Sequence, residues 1–448
     1  MRRCRCVARR AAAAALIAVA LTAGAGDDDF KLPPLAPPPP GALSAAVDWA
    51  RTHAQPIDAL EPGAPRADLQ GLKAIVGDAR IVAFGEGMHE THEYFAFRNR
   101  LFEFLVEEMG FTAIGLETGY SESVAADDYV LGRAEASDAA CTSVFSWSDA
   151  PILENQQLLD WMRAYNARPT TKRPLRLYGL DLTGGRSGGV FPESRKALDD
   201  VLTYIARVDA PLAGNLKHRL IPLLPSFSTV RYPSLPQARR DAITGAISDA
   251  IGAFERQHVE WVAATSRLEY HRAYQHAVVA RQLDMQFRAS TPEDTQSHRD
   301  AAMAHNAVWA LQQQGAQGRL LVFAYNGHVR KSATASGFSS LGTYLDDLVG
   351  AQLVVIGSLY NQGAMGTAGG ETWPLPLSDP GTLNAALRTG AGRPNFYLDL
   401  HRLPAQGPLA KWVDEGQPLR GDYFEGRPRA SFDAIVFIDT LGPSHPLR

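Results

Sequence analysis

Four apolar runs in this 448-residue chain each stop at a residue that can do chemistry. The run 81–84 leads into Gly85-Glu86-Gly87-Met88-His89, and the run 112–116 ends at Glu117. The run 175–180 ends at Asp181, and 320–324 leads into Tyr325-Asn326-Gly327-His328. Short apolar runs separated by helical stretches read as strands of a parallel sheet buried on both faces. Ligands of such sheets bind outside the carboxyl ends of the strands. If the four runs are neighbours, two glutamates, two histidines and an aspartate converge on one crevice.

The stretches between the runs carry helical apolar spacing. Residues 42–53 and 68–76 precede the first strand. Residues 92–109 place Phe95, Phe97, Leu101, Phe102, Leu105 and Val106 on an amphipathic helix that Gly110 should end. Helices over 121–131 and 152–167 follow. The β-α-β-α-β order predicts an α/β fold: a three-layer α/β/α core with a mainly parallel sheet. From 192 to 314 only helical stretches appear (193–207, 236–264, 268–289 and 297–313), which predicts a helical insertion or cap. Strand patterns return at 320–324, 352–359, 395–399 and 432–438, with a helix at 341–348. The expected organisation is therefore core at 42–191, cap at 192–314 and core again at 315–448. The cap aromatics Tyr204, Phe227, Tyr232, Phe254, Trp261, Tyr270, Tyr274 and Phe287 could line a broad apolar cleft, but their spacing fits ordinary helix packing equally well, and for most of them packing is the stronger reading.

The amino-terminal end has a different character. Residues 1–25 hold five arginines and no acid, then an apolar run at 11–21 and Ala23-Gly24-Ala25. That pattern predicts a secretory signal peptide, since the run falls short of the roughly 20 residues a span requires. Residues 26–41 are a proline-rich linker. Cleavage at 25 would take the net charge from −4 to −9, as 39 Lys and Arg would remain against 48 Asp and Glu. The expected product is exported, periplasmic or secreted, without a stable membrane span. An acidic chain without a basic stripe argues against nucleic acid as a partner. Only Cys141 would survive cleavage, in a polar stretch with no histidine near it in sequence, so an internal disulfide is excluded.

His89-Glu90-Thr91-His92-Glu93 invites a zinc reading, but its histidines are three apart rather than four and the inverted order is not met. A carboxylate–imidazole pair, Glu86 with His89, is the simpler general base. Glu117, closing a buried strand, needs either an ion-pair partner such as Arg98 or a tuned catalytic role. His328 is a second candidate, while Asp181 and Asp300 are weaker ones. Tyr325, Asn326 and Asp181 are expected to contact substrate. No G-x-S-x-G follows a strand, and the glycine-rich 184–189 lacks a P-loop lysine.

These residues together resemble the erythromycin esterase family. The resemblance rests on Gly85-Glu86-x-x-His89, then Phe95, Arg98 and Leu101, then Glu-Glu-Met-Gly-Phe-Thr and Glu117. Tyr178-Gly179-x-Asp181, Arg299-Asp300-x-x-Met303, Asn326-x-His328, Gly342-Thr343-Tyr344-Leu345 and Phe432-Asp433-Ala434 extend it across 44–440. It implies ester or lactone hydrolysis without a covalent serine intermediate, with a large lactone such as a macrolide as the default substrate; the absence of a metal-ligand spacing adds the expectation that neither metal nor cofactor takes part. It also implies that His89 activates water, that Glu86 and Glu117 support it, that Arg98 lines the site, and that His328 is a second site histidine. One departure stands out, because family members often carry histidine-asparagine where this chain has Tyr325-Asn326. The wider superfamily includes haem-binding lipoproteins, so the alternative expectation is a binding protein for haem or another large apolar ligand.

Overall fold

A computed structural model describes residues 37–134, 152–182, 195–228, 231–333, 338–366, 371–415, 417–419 and 422–447. The expected leader, Cys141 and the glycine-rich 184–189 lie outside the described residues. The strands are β1 (Gln55–Pro56), β2 (Ile81–Glu86), β3 (Ala113–Gly119), β4 (Arg176–Asp181), β5 (Leu320–Tyr325), β6 (Leu353–Gly366), β7 (Thr372–Leu375), β8 (Asn395–Asp399), β9 (Gln417–Leu419), β10 (Asp422–Gly426) and β11 (Ala434–Leu441). The longer helices are α1 (Ala42–His53), α2 (His92–Met109), α3 (Tyr120–Val130), α4 (Leu153–Asn166), α5 (Lys196–Val208), α6 (Ala210–Leu220), α7 (Gln237–Arg256), α8 (Arg267–Arg288), α9 (Pro292–Gln313), α10 (Leu341–Val349), α11 (Leu383–Ala391) and α12 (Pro408–Glu415).

One sheet runs in the order β1-β8-β11-β6-β2-β5-β3-β4, with β7 added to β6. From β11 to β4 every pairing is parallel, whereas β8, β1 and β7 join antiparallel. Strand β2 shows why the apolar runs are continuous rather than alternating. Val82 and Phe84 enter one core with Phe97, Leu101 and Leu105 of α2, while Ile81 and Ala83 enter another with Ala46, Met303, Ala307 and Leu345. Both faces are thus covered, as the α/β reading requires. Helix α2 stops where its sequence says: Gly110 sits at φ 71, and the N–H of Phe111 donates to the carbonyl of Leu105.

The helical segment has its own core. Tyr204, Phe227, Tyr232, Phe254, Trp261, Tyr270 and Phe287 are buried there together. Phe254 lies 5.0 Å from Trp261 and Phe227 lies 5.2 Å from Phe287, centroid to centroid, so these aromatics pack on one another rather than line a cleft. The last helix departs from the cap expectation. Met303, Ala304 and Ala307 of α9 belong to the core beneath the sheet, the two small side chains allowing close approach. That placement brings the preceding turn of α9, with Arg299 and Asp300, over the strand ends.

The register explains where the sheet opens. Strand β2 follows β5 to the pair Glu86–Tyr325, but leaves β6 after Phe84–Ile356. Asn326 fills the gap, its amide donating to the Ser358 carbonyl at 2.6 Å and accepting from the Ser358 N–H at 3.0 Å. Gly85 must be glycine here, since a Cβ would come within 2.3 Å of the Asn326 Oδ1. Asn326→Ala would leave two buried backbone groups of Ser358 unpaired, and is expected to cost about 2–4 kcal/mol in urea denaturation. A loss below about 0.5 kcal/mol would show that these bonds do not hold the strand ends.

Candidate active site

The strand order β2-β5-β3-β4 sets Glu86, Tyr325, Glu117 and Asp181 side by side at the carboxyl edge. Two groups of side chains result. In the first, the His89 ring meets the Glu86 carboxylate, Nδ1 to Oε1, at 2.5 Å. The Glu86 side chain is 3% exposed and that of His89 is 37% exposed. A buried carboxylate accepting at Nδ1 fixes the tautomer and leaves Nε2 as the basic nitrogen. The other carboxylate oxygen of Glu86 is buried without a hydrogen-bond partner among the described residues. Glu90, directly after His89, adopts φ 57, and its carbonyl accepts from the N–H groups of Gly366 and Ser444. That left-handed residue turns the chain sharply between His89 and His92, so the two histidines face different partners.

The second group centres on Arg299. Its guanidinium donates to both oxygens of Asp181, with Nη2 at 2.6 Å from Oδ2, and to Oε1 of Glu117 at 2.7 Å. His328 stands 3.0 Å from Arg299 Nη1, 3.3 Å from Glu117 Oε1 and 2.6 Å from Asp300 Oδ1. Asp300 in turn accepts from the Leu341 N–H and from the Gln296 amide. Three carboxylates thus face one guanidinium and one imidazole. Burial opposes charge on His328, but Asp300 and Glu117 outweigh it and push the ring up to about 10. The neighbouring guanidinium pulls the other way, yet a neutral ring would leave three carboxylates against a single cation. Burial also opposes charge on Glu117, but His328, Arg299 and His89 hold its carboxyl well below the usual range. Glu117 is therefore a permanent carboxylate near neutral pH. Tyr325 joins the two groups, its N–H donating to Glu117 Oε2 at 2.9 Å and its ring lying 4.9 Å from that of His89.

Several expected roles change. Asp181 is fully buried and committed to Arg299, so substrate does not reach it. Asn326 is fully buried as well and serves the strands rather than a ligand. The guanidinium partner of Glu117 is Arg299, from α9, rather than Arg98. Arg98 is 1% exposed, donates to Asn99, and lies 5.0 Å from the Phe95 and Phe323 ring centroids. It therefore packs within the core against Phe95 and Phe323 instead of lining an open crevice.

One pairing has no sequence signal. Ser121 Oγ lies 2.9 Å from His276 Nδ1, and the other ring nitrogen is 3.6 Å from Asp200. Both residues are buried beside the cap core, and burial pushes the imidazole down to about 3. The arrangement resembles a hydrolytic triad without access for a substrate. A cavity of about 270 Å³ lined by Tyr178, Arg176, Arg272 and Trp309 lies near the start of β4, away from the catalytic candidates.

The erythromycin esterase family model matches residues 106–441. The chain belongs to the erythromycin esterase family. The match contains Glu117, Arg299, Asp300 and His328, and begins after Glu86 and His89. The chain is 21% identical over 328 residues to erythromycin esterase type II of Escherichia coli, covering 69% of this chain and 76% of that one. A Bacillus cereus protein of known crystal structure superposes with a TM-score of 0.77 at 26% identity, over 91% of this chain and 99% of that one. The fold also matches an erythromycin esterase variant in its open conformation, with a TM-score of 0.65, 18% identity and coverage of 86% and 96%. Membership in the family makes this chain a hydrolase of the esterase type acting on a small molecule.

The His328 shift has a consequence for stability. An unfolded histidine titrates near 6.5, so between there and about 10 the folded chain holds a proton that the unfolded chain has released. This contribution is complete below the lower value and is lost as pH rises through the upper one. His328→Gln is expected to flatten the alkaline decline of urea stability between about pH 7 and pH 10. An unchanged slope would mean that His328 is neutral in the folded protein.

Proposed function

We propose that this protein hydrolyses a carboxylic ester or lactone by direct attack of water, with His89 as general base. The observation that carries this reading is the Glu86–His89 contact at 2.5 Å, with a buried carboxylate behind a partly exposed ring. Water at the exposed edge of the ring gives a proton to Nε2 and adds its oxygen to the carbonyl carbon. The acyl–oxygen bond then breaks, and the same proton passes to the departing alkoxide. Glu86 orients the ring and offsets the charge it gains. The ion cluster of Arg299 and His328 with Glu117, Asp181 and Asp300 holds the strand ends beside the ring in one arrangement, so the water and the carbonyl meet a preorganised site. Tyr325 replaces the family's usual histidine; a phenol donates a hydrogen bond but is a poor base near neutral pH. In this reading neither serine nor metal takes part in the bond-breaking step.

We also propose export. The arginine-rich segment, apolar run and small residues within 1–25 support it, and no helix among the described residues is long and apolar enough to cross a membrane. Amino-terminal sequencing of the native protein is expected to begin at Gly26 or Asp27, and an intact Met1 in the cytosol would refute export.

His89→Ala is expected to lower turnover by about two to four orders of magnitude, the usual worth of a general base. Glu86→Gln should impair it as well, since the amide cannot hold a charged ring equally. Turnover should survive chelation and dialysis. Substrates are found by incubating the chain with 14- and 16-membered macrolides and a panel of simple esters. The mass gain of one water marks the substrate; full activity of His89→Ala on it would overturn the assignment of the base.

A further inference from the structure

The second histidine of the 89–93 segment joins a different cluster. His92 Nδ1 and His445 Nδ1 both contact Oε1 of Glu154, at 2.7 Å and 2.8 Å. The three donor atoms lie within 4.8 Å of one another. They come from the start of α2, the first turn of α4 and the carboxyl-terminal segment, and their backbones are tied together. His92 N–H donates to the Gly442 carbonyl, Leu153 N–H donates to the His445 carbonyl, and Thr91 and Ile152 form bridges with Pro443 and Pro446. The remaining nitrogen of His92 meets Glu61 Oε1 at 2.8 Å.

We propose that His92, Glu154 and His445 bind a zinc ion that fastens the carboxyl-terminal segment to the amino ends of α2 and α4. Two imidazoles and one carboxylate are a common zinc donor set, usually completed by water. The Glu154 side chain is 1% exposed and that of His445 is 57% exposed, so the set has a fixed inner ligand and an open outer side for the water. Glu61 adds an independent mark of a metal site. A ligating histidine ordinarily gives its other N–H to a carboxylate, which fixes the ring and raises its basicity as a ligand. Tetrahedral zinc separates its donor atoms by about 3.3 Å, so Glu154 and the two rings would part by roughly half an ångström. The exposed His445 ring has room for that shift.

This ion would be structural. The ligands are distinct from the Glu86–His89 pair, so zinc removal is expected to lower the thermal midpoint of the full-length chain by a few °C while leaving turnover at room temperature unchanged. Equilibrium dialysis of chelator-stripped protein against zinc, read by elemental mass spectrometry, is expected to return about one ion per chain. His445→Ala, on an exposed segment, should fold and turn over normally yet lose the ion and the thermal shift. His89→Ala should keep both. Failure to bind zinc overturns the proposal without touching the role of His89. Zinc retained by His445→Ala but lost by His89→Ala would also overturn it, and would place a metal at the catalytic pair instead.

Discussion

The site depends on one buried guanidinium. Arg299 binds the ends of β3 and β4 through Glu117 and Asp181, and holds His328 against its third face. Buried charge on this scale persists only when each member is paired, because an uncompensated ion inside the fold costs several kcal/mol. Removing Arg299 would strand two carboxylates together, whereas keeping it forces three strand ends and helix α9 into one arrangement. Geometry at the crevice is therefore set by ion pairing, and the apolar cores only bring the elements within reach.

Against this fixed background the Glu86–His89 pair is the more accessible half. The ion cluster is nearly sealed, while the His89 ring remains over a third exposed. Tyr325 couples the two, with its backbone on Glu117 and its ring beside His89. The proposed base therefore stands reachable above a rigid, charged floor. The floor keeps its geometry without reorganising, and the His89 ring sees solvent. The turn at Glu90 completes the division of labour by aiming His89 toward the crevice and His92 toward the carboxyl-terminal segment.

Much of this was legible in the chain. Each of the four apolar runs is a strand, the strands are parallel neighbours, and their terminal residues do meet. Continuous rather than alternating hydrophobicity made that reading possible, because both faces of β2 are buried. The order of pairing was not legible: β5, more than 130 residues beyond β4, lies between β2 and β3. That insertion decides which partners meet. It gives Glu117 to Arg299 instead of Arg98, and it turns Asn326 into a brace between strands instead of a ligand contact. Arg299 was legible only as part of the Arg299-Asp300-x-x-Met303 motif and without a role, since an arginine on a mostly polar helix looks like a surface residue until the fold places it. The pairings of Ser121 with His276 and of His92 with His445 were not legible either, because residues far apart in sequence meet only through packing.

The central claim is that water, not a side chain, attacks the carbonyl. The most direct measurement is the intact mass of the protein, taken by rapid quench during a single turnover with the substrate in excess of its affinity. Direct attack predicts an unchanged protein mass at every quench time while the substrate gains one water. An adduct with the mass of the acyl group, forming and decaying within the turnover, would contradict it and point to a nucleophilic side chain.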